Sequence, residues 1–207
     1  SAPDVLSEPD GPVVLTGDAT PTGGWLNAED KVRTWTNCAA PRANGVLLVP
    51  DTGSTELLIA NPDDMDAAVD LTLLGPDGEI EALGARGIAL SAHSTREIAL
   101  SVLAEDEGPL AVRYRASRGR ATVSARTDSG ERLFSTTTSR PDARQFLPGV
   151  PSGASEATVL MANPTTERVD AEILAHGTTA TYVPEGGSDI SVPPGTATEV
   201  ELADALA

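Results

Sequence analysis

The sequence predicts an all-β protein made of two tandem antiparallel Ig-like β-sandwich modules that follow an extended N-terminal arm. Three observations predict it. Short runs of alternating apolar residues are broken by turn residues at intervals of ~8 to 12 positions, and no helical period interrupts them. One segment occurs twice: residues 55–100 align without a gap on 157–202, at a constant offset of 102 that sets Asn163 on Asn61, Gly177 on Gly75, Gly186 on Gly84 and Glu199 on Glu97. Aromatic residues make up only 3% of the chain, so its cores must be built from Val, Leu, Ile and Ala in thin layers.

Residues 1–45 are rich in Pro, Gly, Asp and Thr and read as an arm with two strand-like islands, Val13–Leu15 and Val32–Trp35. The first module, residues 46–138, opens with the apolar runs Val46–Val49 and Leu57–Ala60. In Ala67–Leu74 the residues Ala67, Val69, Leu71 and Leu73 alternate inward against Ala68, Asp70 and Thr72. Gly75-Pro76-Asp77-Gly78 is a turn signal, since glycine supplies positive φ and proline presets a bend. Strands are then expected at Glu79–Ala82, Gly87–Leu90, Thr95–Leu100, Leu110–Ala116 and Arg120–Thr127, with Arg132–Thr137 a strand or extended linker and a hinge at Ser139–Asp142. The second module, residues 144–207, places Gln145–Pro148 where Leu47–Pro50 stood, then repeats the pattern through Val169, Ala171 and Ile173, Ile190 and Val192, and Val200 and Leu202. The counterpart of Leu110–Thr127 would begin near residue 212, whereas the sequence ends at Ala207. A sandwich without its last hairpin exposes a sheet edge and an apolar face. Truncation, a partner chain, or the arm folding back through Val13–Leu15 or Val32–Trp35 would each resolve this, and the arm or a partner chain is expected to cover the edge.

Charge narrows the function classes. A net charge of −17 argues against nucleic acid, because phosphate neutralisation needs a dense basic surface. Cys38 is the only cysteine, which excludes an internal disulfide and a cysteine-based zinc site and leaves a partly buried structural thiol or pairing outside the chain. No run of ~18 apolar residues is present. Because the chain begins at Ser1 without Met, a signal peptide or anchor is expected to have been cut away.

The strand ending Leu57-Leu58-Ile59-Ala60-Asn61-Pro62, then Val69–Gly78, the Pro193-Pro194-Gly195 or Ala92-His93-Ser94 turn and the Glu97-Ile98-Ala99-Leu100 strand resemble a family of uncharacterised actinobacterial secreted or membrane-anchored proteins. The resemblance covers residues 38–207, and its implications are an N-terminal membrane anchor, Ig-like modules outside the cell, and neighbouring genes for cell-envelope glycosyltransferases. It brings no catalytic residues. The chain departs from the full pattern by ending before the second module's last hairpin.

Several residues are candidates for a site. The Asn-Pro pairs read as fold elements, since the asparagine amide can bond backbone groups two residues on and proline stiffens the strand exit. Asp63, Asp64 and Asp66 resemble calcium ligands, but Thr165, Thr166 and Arg168 replace them in the second copy, so a solvated acidic loop is the better reading and no metal is expected. His93 and His176 lie near no nucleophile motif, although a triad assembled through space stays open. Arg113, Arg115, Arg118, Arg120 and Arg126 fall in a window free of acids, and alternation with Leu110, Val112 and Tyr114, then Ala121, Val123 and Ala125, points Arg113, Arg115, Arg120 and Arg126 outward on one face of a hairpin. Their forks suit carboxylates or phosphates of a partner; the plainer reading is compensation by Glu105, Asp106 and Glu107 or by the other module. Trp25 and Trp35 read as anchors pinning the arm, with sugar-stacking platforms as the alternative.

These readings converge on a non-enzymatic, extracytoplasmic envelope accessory or scaffold without a cofactor, binding a partner protein such as a glycosyltransferase or assembly factor through strand edges and the arginine face. The alternative is a carbohydrate-binding module for an anionic or arabinan-like wall polysaccharide. A hydrolase would require His93 or His176 beside an exposed serine and a carboxylate.

Overall fold

The computed structural model of the protein describes Val14 and residues 24–29, 32–104, 108–128, 133–137, 141–147, 156–177 and 179–203. The expectations placed on Val13, Leu15, Glu105, Asp106, Glu107, Ser139 and Arg140 lie outside these residues, as do the side chains of Trp25 and Trp35.

The described residues are all-β with antiparallel pairing throughout. In chain order the first strands are β1 (Gly24–Glu29), β2 (Val32–Asn37), β3 (Asn44–Val49), β4 (Thr55–Asn61), β5 (Ala67–Gly75), β6 (Gly78–Ile80), β7 (Ile88–Leu90) and β8 (Ser94–Ala99). A single 3-10 turn at Leu100–Val102 leads to β9 (Leu110–Arg118), β10 (Thr122–Asp128) and β11 (Leu133–Thr137). The later strands are β12 (Glu156–Asn163), β13 (Val169–Ala171), β14 (Ala175–His176), β15 (Thr181–Tyr182), β16 (Ile190–Val192) and β17 (Thr196–Ala203).

Two sheets build the first copy of the repeat: β3-β9-β5-β6, with β7 also on β5, and β11-β10-β4-β8. Period-two alternation aims Leu47, Val69, Leu71, Leu73, Val112 and Tyr114 from one sheet and Leu57, Ile59, Val123 and Ala125 from the other into one core, sandwich-like in form. Tyr114, buried, donates its hydroxyl to the Ala121 carbonyl at 3.3 Å, so the largest core side chain leaves no orphan polar atom.

This topology corrects the expected hairpin. β9 and β10 follow each other in sequence but pair in different sheets, β9 between β3 and β5 and β10 between β4 and β11. Inward alternation is the same for a hairpin and for a chain that crosses from sheet to sheet, which is why the sequence pattern could not separate them.

The second copy reproduces the first ladder by ladder. Asn61 opposes Ser94, and Asn163 opposes Thr196; Ala67 opposes Leu90, and Val169 opposes Val192; Leu73 opposes Ile80, and Ala175 opposes Tyr182. Each pair is displaced by the sequence offset of 102. Positive φ recurs at the same positions: 84° at Gly84 and 81° at Gly186, 65° at Gly87 and 54° at Asp189, 52° at His93 and 68° at Gly195. A left-handed conformation that survives the exchange of His for Gly is set by the turn and not by the residue.

Partners for the outer edges are where the copies differ. In the first copy β10 closes β4 and β9 closes β5; among the described residues β12 pairs only with β17, and β13 only with β16. Gln145–Leu147, expected to stand for the first strand of the second module, is not a strand, and Phe146 and Leu147 are exposed. The strand they were expected to match, β3, is held by β9, and the described residues of the second copy include no counterpart of β9. The arm does not supply the missing strand through Val32–Trp35 either: β2 pairs with β1 and lies against β11.

The outer face of β12–β17 packs on the first copy. Ala197 and Ala162 sit against Val46, Leu48, Leu74 and Ala111, which project from the outer face of β3-β9-β5. Thr72 and Leu74, outward by alternation, are therefore buried.

Candidate functional site

The five arginines singled out in the sequence divide among three environments. Arg120 makes a two-pronged ion pair with Asp63, Nε to Oδ2 at 3.0 Å and Nη2 to Oδ1 at 2.8 Å, where Asp63 follows the Asn61-Pro62 turn. This hydrogen bond, with the attraction of the carboxylate behind it, raises the arginine's already high pKa and keeps it charged. Arg126 donates to Glu56 Oε2 at 3.1 Å across the neighbouring strand β4. Compensation within the first copy thus accounts for both.

Arg113, half-buried on the outer face of β9, reaches the second copy and donates to the Pro164 carbonyl at 3.2 Å. It stands at the rim of the seam, where Leu74, Glu79, Thr165, Thr166 and Gly195 line a shallow cleft. Arg115 and Arg118 are exposed, and neither has an ion pair within 4.0 Å among the described residues. Because β9 and β10 belong to opposite sheets, Arg126 does not share a face with Arg113 and Arg115. The five do not form one arginine surface.

The other candidates resolve into structure. Asn61 Nδ2 donates to Met65 O at 2.7 Å and Ser91 O at 3.0 Å while its Oδ1 accepts from Asp63 N at 3.2 Å. Asn163 repeats this with Glu167 O at 2.6 Å, Val192 O at 3.0 Å and Thr165 N at 3.1 Å. Both asparagines are buried, so each ties a strand end to the turn that follows it and to the exit of β7 or β16. Of the acidic loop, Asp63 holds Arg120, Asp64 Oδ1 lies 2.8 Å from His93 Nε2, and Asp66 accepts from Ala92 N at 3.3 Å. His176 Nδ1 lies 2.9 Å from Thr181 Oγ1. Cys38, expected to be partly buried, is exposed in the link between β2 and β3, a stretch that joins the arm hairpin to the first sheet without crossing the core.

Pairing and burial together make the open side of the second copy the candidate site. Its inward residues Ala157, Val159, Met161, Ile173 and Ile190 gather around Val200 and Leu202, yet each of the five is only partly buried. Leu57, Ile59, Leu71 and Ile88, at the same positions as Val159, Met161, Ile173 and Ile190, are all under 5% exposed. Val169 is 41% exposed where Ala67 is 3%. The difference is the cover that β9 and β10 give the first copy. All of these residues lie in the stretch 34–207, which matches the family of unknown function DUF5719. The chain belongs to that family. No curated protein and no solved structure matches it.

Membership in DUF5719 therefore bounds the chain without assigning it a role, and the functional reading rests on the residues themselves. The seam between the copies was not among the features expected from the sequence. Its signal was present in Val46–Val49, Leu73-Leu74 and Leu110–Val112, apolar runs without alternation that mark strands covered on both faces. Among the described residues no helix is long and apolar enough to cross a membrane.

Proposed function

We propose that this DUF5719 chain is a non-enzymatic binding scaffold, two Ig-like modules behind an N-terminal arm, that engages a partner protein through the open strand edges of its second module. The observation that carries the reading is that, among the described residues, β12 and β13 have no strand on the edges where β4 and β5 have one, while the apolar positions behind them stand partly open. A free edge offers a row of backbone donors and acceptors to another strand, and apolar side chains beside it add specificity. The module lies outside the cytoplasm, in the cell envelope, in keeping with the secreted or anchored proteins it resembles. The partner class, an envelope glycosyltransferase or assembly factor, follows from the same resemblance.

Carbohydrate binding is supported less. Such a site needs an aromatic platform beside polar groups, and the described lining of the seam cleft is aliphatic, threonine and charged residues. Affinity capture from detergent-solubilised envelope tests the two readings. The parent chain is compared with a Met161→Lys, Ile173→Lys variant, which places charge behind both edges, and with Arg115→Glu, Arg118→Glu. Recovery of one protein by the parent and its loss with the edge variant is the expected result. Recovery of polysaccharide alone, or of the same proteins by parent and edge variant, overturns it.

A further inference from the structure

The geometry points to a specific shape for the occupant of the second module: a β-arc of a partner polypeptide that gives one strand to β13–β14 and the next to β12 at once, with basic residues on its outward positions over β13. This deepens the partner-binding reading and rests on it. The first copy is the template. There, one continuous stretch, Leu110–Asp128, crosses from sheet to sheet and closes both edges, β9 on β5 with Tyr114 opposite Leu71, and β10 on β4 with Val123 opposite Ile59. The three ladders shared by the two copies keep their register, so the same crossing laid on the second copy sets its strands opposite Ile173 and Met161. A strand added to one edge alone would leave the inward residues behind the other half-open.

Charge selects the outward residues. In the first copy Arg118 opposes Ala68 and Arg115 opposes Asp70. In the second copy the same two positions of the repeat hold Asp170 and Glu172, both acidic and both exposed. Between residues 156 and 203 the sequence has eight acidic side chains and one arginine. An occupant carrying Arg or Lys where β9 carries Arg115 and Arg118 meets a carboxylate at each place.

The β9–β10 segment of a second copy of this chain is not the occupant. The only segment of this kind among the described residues of a second copy is its own β9–β10, whose Val112, Tyr114 and Val123 are buried in its own core. Donating it would open that core, and two chains of net charge −17 repel.

A synthetic peptide with the sequence of Gly108–Asp128 serves as the probe, added in excess to the full chain and followed by residue-resolved amide hydrogen exchange. The expected result is exchange slowed by about tenfold or more in both β12 and β13. The effect should vanish when Val112, Tyr114, Val123 and Ala125 of the peptide are replaced by Ser, and weaken when its Arg115 and Arg118 are replaced by Glu. Slowing confined to one edge, slowing in β4 and β5 through strand exchange into the first copy, or no change in a chain whose first copy remains protected each overturns the β-arc. Edge-dependent capture of a partner without peptide protection would leave the scaffold reading standing and remove the β-arc. Protection at both edges without any edge-dependent partner would support the β-arc geometry and remove the scaffold reading.

Discussion

At the residue scale the repeated Asn-Pro pair carries the most structural weight per atom. Asn61 and Asn163 each donate to two backbone carbonyls, one in the turn that follows and one at the exit of β7 or β16, and each amide oxygen accepts a backbone N–H two residues on. Asn61→Ala and Asn163→Ala are each expected to cost roughly 1 to 3 kcal/mol, the penalty of leaving buried polar groups unpaired, measured by urea denaturation. Both residues were legible in the sequence because they recur at one offset. Their acceptors were not, since they lie as far as 30 residues away along the chain. Gly186 makes a second test. Its φ is 81° and a Cβ there would lie 2.6 Å from Glu201 O, whereas Gly84 at φ 84° faces open space. Gly186→Ala is expected to destabilise more than Gly84→Ala, which pays about 1 to 2 kcal/mol for the left-handed backbone alone. Arg120 sets a pH signature of known sign. Its folded pKa is raised by Asp63, so its contribution is complete below the ordinary arginine range and is lost only as pH climbs through the raised value.

At the element scale, strands β4 to β8 and their copies were legible from alternation and turn residues, and most observed boundaries fall within a few residues of those expected. The crossing of β9 and β10 was not legible, because a strand's inward face reads the same in either sheet. No counterpart of that crossing lies among the described residues of the second copy, and matched substitutions measure its worth. Leu71→Ala in the closed copy removes a side chain only 1% exposed and is expected to cost about 2 to 5 kcal/mol. Ile173→Ala, at the same repeat position but partly exposed, is expected to cost less than about 1.5 kcal/mol by the same denaturation measurement. Equal losses would mean that the second copy's core is as closed as the first.

At the scale of the whole molecule, the two copies meet through small side chains on one side and a covered sheet face on the other. Ala197→Asp would bury a carboxylate against Val46, Leu74 and Ala111, and is expected to lower the unfolding midpoint of the second copy while leaving that of the first nearly unchanged, followed by exchange at residues of each. This seam was half legible in the sequence: the unbroken apolar runs around Val46, Leu74 and Ala111 mark strands covered on both faces, but not what covers them. What faces them is set by how two units dock, a relation with no period along the chain. Among the described residues the second copy stands open along β12 and β13, and the partner-binding reading depends on that opening. Native-state hydrogen exchange of the free chain, comparing residues 55–99 with their counterparts 157–201, tests it most directly. The expected result is that amides along β12 and β13 exchange faster than their matches in β4 and β5; equal protection in the two copies would contradict it.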